Sequence, residues 1–141
     1  MPTPDQAKDR ERIRRYIQRE RLTSVMSDAK WRRLVGVIDR LPFGVKFRRQ
    51  DVREPAREHT GWDGDRCHVL GGDFASIEWL ELSGRWELPR GRLVAPEVRD
   101  HSAELRRALQ AANVPFSIEN GNIRVWGYTR PGRSPLWEKS G

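Results

Sequence analysis

Residues 116–128 read Phe-Ser-Ile-Glu-Asn-Gly-Asn-Ile-Arg-Val-Trp-Gly-Tyr. Two extended, half-apolar segments flank Asn120-Gly121, the pair that best tolerates the two left-handed positions of a type I′ turn. The stretch is therefore read as a β-hairpin, with 116–119 paired to 122–128. A hairpin near the C-terminus, preceded by helical periodicity, rules out a purely helical bundle and points to a sheet with antiparallel pairing.

Working outward, Asn113-Val-Pro115 closes a helix that starts at Asp100 or Ser102 and carries Leu105, Ala108, Leu109 and Ala112 on one stripe. Asp100-His101-Ser102 contains the three residue types of a hydrolytic triad, but triads are assembled from distant segments, and three consecutive residues here are better read as a helix cap. Ser27 caps a second helix, in which Trp31, Leu34, Val35, Ile38 and Leu41 form a continuous apolar face ended by Pro42. The alternation of Phe43, Val45 and Phe47 predicts a strand, Cys67–Leu70 a short strand, and Phe74–Leu82 a longer one with apolar residues on both faces. In that strand Ala75, Ile77 and Trp79 share one face, and Phe74, Leu80 and Leu82 the other. Residues 48–66 read as a long loop, 84–92 as an irregular connection, and 129–141 as a frayed tail. At the other end, residues 1–8 read as a Pro-containing polar tail and Asp9–Arg21 as a helix with a thin stripe of Ile13, Tyr16 and Ile17.

The expected fold is thus α+β: an antiparallel or mixed sheet of about 4–5 strands with two main helices (27–41 and 101–112) packed on it, plus a basic N-terminal helix. The expected organisation is a basic arm at 1–20, one α+β domain at 21–130 and a flexible C-terminal tail at 131–141. The 141 residues suit one core and not two. The longest uncharged stretch, Ala108–Ile118, has 11 residues, against about 20 for a transmembrane helix. The N-terminus has no apolar signal region, and the single cysteine excludes an intramolecular disulfide, so a cytoplasmic protein with no membrane association is expected.

The net charge is +7, and its distribution is uneven: residues 1–50 carry +8, whereas 51–141 carry −1. Arg12, Arg15 and Arg19 lie along one helical face with Arg10, Arg14 and Arg21 nearby, a pattern that can follow a phosphate backbone. Nucleic acid is therefore a possible partner through residues 8–21, although Asp5, Asp9, Glu11 and Glu20 dilute the arm. No phosphate-binding glycine loop occurs. His59, Asp63, Asp65 and His68 are metal-capable residue types without metal-ligand spacing, and read as a turn rich in Asp and Gly. Cys67, next to His68 on the expected strand, reads as a buried and inert thiol.

Several blocks together resemble a family of small bacterial proteins of unknown function: LTSVMSDAKWRRL at 22–34, LPFGVKF at 41–47, IEWL at 77–80, RGRLVAP at 90–96, SAELRRAL at 102–109, VPF at 114–116 and Gly127-Tyr128. The resemblance runs over residues 20–130 in unbroken order. It implies membership and brings no activity, substrate, cofactor or catalytic residue with it.

Of the six tryptophans, Trp31 and Trp79 are assigned to packing. Trp62, Trp86 and Trp137 fall in loops or the tail, where an exposed indole is costly unless it meets something. Interfaces are enriched in Trp, Tyr and Arg, so Trp62, Arg85, Trp86, Arg90, Arg92, Trp126, Tyr128 and Arg130 are the candidate partner-binding residues. The reading from sequence is a non-enzymatic accessory or immunity-like domain that binds another protein or a second copy of itself, with no cofactor or metal; the alternative is a weak, sequence-nonspecific nucleic-acid binder.

Overall fold

A computed structural model describes residues 3–52 and 61–138. The order of elements is α1 (Pro4–Arg19), β1 (Thr23–Ser24), α2 (Asp28–Asp39), β2 (Lys46–Asp51), α3 (Arg66–Leu70), β3 (Ile77–Ser83), β4 (Arg85–Leu88), β5 (Glu97–Asp100), α4 (Ser102–Ala111), β6 (Ser117–Glu119), β7 (Asn122–Trp126) and β8 (Tyr128–Thr129). The central sheet has the order β2-β3-β7-β6 and every pairing in it is antiparallel. β4–β5 and β1–β8 make separate two-stranded ribbons. The fold is α+β, as the periodicities indicate.

Two rows of side chains cross the sheet toward the helices. Phe47, Leu82, Ile123 and Ile118 lie in one register row, and Leu80 and Val125 in the next. Against them pack Trp31, Leu34 and Ile38 of α2 and Leu105 and Leu109 of α4, with Met26, Val114 and Phe116 closing the core. The side chain of Ser27 accepts a hydrogen bond from the Lys30 amide and so fixes the start of α2. Asp100 Oδ1 accepts from the Ser102 amide at 2.9 Å, so Asp100-His101-Ser102 is indeed a helix start. Asn120 and Gly121 take φ of 52° and 80°, the left-handed pair of the I′ turn between β6 and β7.

Several local expectations are corrected. Residues 67–70 form the helix α3 and not a strand, because Asp65 caps it by accepting from the His68 amide at 3.2 Å. Cys67 on that helix is exposed rather than buried. Helix α1 begins at Pro4 and not at Asp9: Thr3 and Gln6 form a reciprocal capping box, with Pro4 in the first turn. Residues 48–51, read as loop, continue β2. Residues 85–88, read as irregular, are a strand paired with 97–100. Ile77 does not share a face with Trp79. The register shifts between Gln50 and Asp51, so Glu78 is the extra residue of a bulge and Ile77 joins Leu80 and Leu82 in the core.

The N-terminal helix buries none of its residues fully. It is held through polar contacts: Arg10 to Asp73 at 3.1 Å, and Arg130 bridging the Tyr16 hydroxyl and Glu78. Residues beyond β8 also touch the sheet, for Trp137 forms a bridge with Ser117 and the Glu138 amide donates to the Phe116 carbonyl at 2.8 Å.

Candidate functional site

The sheet face away from α2 and α4 has a different chemistry. Strand alternation places Lys46, Arg48 and Gln50 there from β2, Trp79, Glu81 and Ser83 from β3, and Arg124 and Trp126 from β7. The register makes Arg48, Glu81, Arg124 and Ser117 one continuous row across all four strands, and Gln50, Trp79 and Trp126 the next.

Glu81, at the centre of the row, is fully buried. A buried carboxylate demands charge partners and hydrogen-bond donors. Arg48 Nε donates to Glu81 Oε1 at 2.6 Å, and Arg124 Nη2 to Oε2 at 3.3 Å. The indoles then sheathe the guanidiniums. Arg124 lies 4.1 Å from the ring centroid of Trp79 and 5.1 Å from that of Trp126, while Arg48 lies 4.6 Å from that of Trp62. Stacking suits Arg, whose planar group is weakly hydrated and keeps its charge. Trp126 is oriented by donating Nε1–H to Ser117 Oγ at 2.9 Å, and Ser117 in turn donates to Glu119. The Arg124 Nε–H is buried without an acceptor among the described residues.

The face continues to its edge through Lys46. Its ammonium sits 5.7 Å from the Trp62 ring and 5.4 Å from the Trp86 ring, with no carboxylate partner among the described residues. Trp86 is locked by donating Nε1–H to the Gly44 carbonyl at 2.8 Å, its ring lying against Gly44 and Gly64. Beyond Trp86 the β4–β5 ribbon carries Leu93 fully exposed, with Val94 and Val98 about half exposed. Arg92 sits beside them, also exposed.

The structure therefore unites Trp62, Trp86 and Trp126 on one face. Arg85, Arg90 and Arg92 belong to the adjoining ribbon, where Arg85 pairs with Glu87 and Arg90 donates to the Ala95 carbonyl. Tyr128 and Arg130 lie apart, at the α1 side: the Tyr128 hydroxyl donates to the Ala75 carbonyl at 2.6 Å, and burial pushes its pKa up. The sequence reading missed Lys46, Arg48, Glu81 and Arg124. Their signal was parity, since each falls on the same alternation as a tryptophan or another charge once the strands are in register. Trp79 is buried, as a packing role requires, but on this face and not in the helix-covered core.

The other candidates resolve separately. Four arginines of the arm have acidic partners: Arg10 with Asp73, Arg14 and Arg15 with Glu11, and Arg19 with Glu20. Arg12 and Arg21 are exposed. His59 lies outside the described residues. Asp63 is held at the sheet edge by a reciprocal backbone bridge with Phe47 and pairs with His68 Nδ1 at 2.5 Å. Asp63 is pulled below its ordinary 3.8 by the Asp65 amide and His68, and His68 is raised above 6.5 by Asp63. A cleft of about 420 Å³ borders this pair and is shared with Arg49, Asp51 and Trp62. Asp100 and His101 do not line it; His101 stacks on Phe43 at 4.4 Å and pairs with Glu104. Among the described residues no three His, Cys, Asp or Glu side chains converge to hold a metal ion.

A family model described as a family of unknown function, DUF6678, matches residues 13–132. The chain belongs to that family. The DUF6678 match takes in the second half of α1 and the whole indole–guanidinium face, and ends before Trp137. No curated protein and no solved structure matched the chain. No described helix is long and apolar enough to cross a membrane.

Proposed function

We propose that this DUF6678 domain is a non-enzymatic, cytoplasmic protein-binding module of accessory or immunity-like type, docking its partner on the indole–guanidinium face and the adjoining β4–β5 ribbon. The observation that carries the reading is the exposed edge of that face. Trp62, 36% exposed, lies over Arg48 and beside Lys46, next to a ribbon that exposes Leu93 fully and Val94 and Val98 by about half among the described residues. Trp and Arg held rigidly by a buried network lose little conformational entropy on binding, which is how interface hot spots gain their weight. Lys46 and Arg92, without counter-ions among the described residues, favour a partner surface that mixes apolar groups with carboxylates. The acidic side chains beside the arm arginines weaken the case for nucleic acid, since each phosphate contact needs an available cation. The basic balance also argues against inhibition of a nuclease, whose own cleft is basic.

Photocrosslinking tests the reading. A benzophenone amino acid replacing Trp62 or Leu93 should yield a discrete protein adduct in cells, and the same probe at Arg12 should not. Trp86→Ala should abolish the adduct. Adducts made equally from position 12, or adducts to RNA, would refute it.

A further inference from the structure

On the opposite side of the molecule, α2 and α4 leave between them an open groove of about 470 Å³ lined by Arg32, Arg33, Gly36, Val37, Arg40, Ala108, Ala111 and Ala112. Three guanidiniums rim it, and no carboxylate among the described residues lines it. The neighbouring acids point elsewhere: Asp39 pairs with Arg66 at 2.6 Å and Glu104 with His101. Arg33 is tethered across the groove by donating to the Ala112 carbonyl at 3.2 Å, while Arg32 and Arg40 have no acidic partner among the described residues. A Cβ added at Gly36 would meet nothing within 4 Å, so the groove is open above its floor.

We propose that this groove is a second docking site, and that its occupant is an acidic amphipathic helix of a partner protein. Charge complementarity sets the sign of the occupant, because no carboxylate among the described residues neutralises the three arginines. The apolar floor selects a helix over a phosphate backbone: it offers contact to apolar side chains and nothing to a sugar–phosphate chain. Arg33 on α2 and Arg40 at its C-cap are seven residues apart, about 10 Å along the axis. That is the spacing of two turns, so carboxylates at i and i+7 of a docked helix meet both.

The test uses the full chain and a fluorescein-labelled synthetic peptide of about 20 residues, long enough to hold a helix, with Leu and Ala on one face and Glu on the other. Anisotropy should show saturable binding to the unaltered protein. Gly36→Leu fills the groove and improves helix propensity, so it should keep or raise the melting temperature while weakening binding at least about tenfold. Arg32→Glu with Arg40→Glu should weaken binding by a similar factor, and Trp62→Ala should leave it unchanged. The proposal is overturned if the unaltered protein does not bind the peptide, if Gly36→Leu binds as well, or if a scrambled peptide of the same charge binds equally. Displacement of the peptide by a single-stranded oligonucleotide at equal charge would also overturn it, marking a general polyanion patch.

Discussion

The two faces of the central sheet achieve burial by opposite means. Toward α2 and α4, Phe47, Leu80, Leu82, Ile123 and Val125 pack against aliphatic and aromatic side chains, and the part-buried Arg49 on that side is satisfied by Asp51 and the Val69 carbonyl rather than by a buried carboxylate at the centre of the sheet. On the other face, one register step away, Glu81 is buried just as fully, but its stability is conditional on Arg48 and Arg124. Apolar packing is forgiving of composition as long as volume is kept. A buried ion network is not, because removing one member strands the others. The contrast explains why one face can serve as a core, while the other keeps its side chains in fixed positions at a partly exposed surface.

The comparison breaks most visibly at Glu81. Glu81→Ala should lower unfolding free energy by about 3–5 kcal/mol, whereas Leu80→Met, its chain neighbour on the helix side, should cost less than about 1.5 kcal/mol; urea denaturation measures both, and equal losses would erase the distinction. Gly127→Ala should come next, at about 1–3 kcal/mol, since its Cβ would overlap the Ile77 carbonyl oxygen and Gly127 is itself fixed by backbone bonds to Glu78 and Val25. Arg124→Lys retains the charge but loses the planar stack between Trp79 and Trp126. A cost of about 1–2 kcal/mol is expected, together with a changed near-UV circular dichroism signal from those indoles.

Trp62→Ala sharpens the contrast from the other side. It should change stability by less than about 1 kcal/mol, as surface substitutions do, and still abolish the photocrosslinked adduct made from position 93. The smallest effect belongs to the exposed pair at the sheet edge. His68 has a raised pKa, so its contribution is present below about 6.5 and is lost as pH rises through the folded value. Asp63 has a lowered one, so its contribution is present above 3.8 and is lost as pH falls through the folded value. The pair is therefore closed between those two folded values. NMR titration should show His68 return toward 6.5 in Asp63→Asn, and high salt should reproduce much of that change because the pair faces solvent.

The helix-covered face was legible in the sequence because it depends on periodicity: the stripes of α2 and α4 and the Asn-Gly turn each declare themselves locally. The indole–guanidinium face depends on register, which local patterns do not contain. Arg48, Glu81 and Arg124 become a row only when β2, β3 and β7 are aligned, and beyond Trp79 the bulge at Glu78 takes Ile77 out of the simple alternation, which composition does not reveal. Trp62, Trp86 and Trp126 were identifiable singly, as aromatics in loops and at a strand end; Lys46 between two of them was not. The misread segment at 67–70 shows how a short apolar run is arbitrated by one capping carboxylate, Asp65, rather than by its own residues.

Asp63 and Trp137 each place a single bridging residue along an outer strand of the four-stranded sheet, Asp63 on Phe47 and Trp137 on Ser117. Unpaired strand borders invite another chain to extend the sheet, which is the route to fibrils and to β-augmentation by peptides. With part of both borders occupied from within the same chain, that route is obstructed. Recognition then falls more to side chains presented outward, and the protein carries an aromatic, sheet-borne surface while offering less of its central-sheet backbone as a template for aggregation.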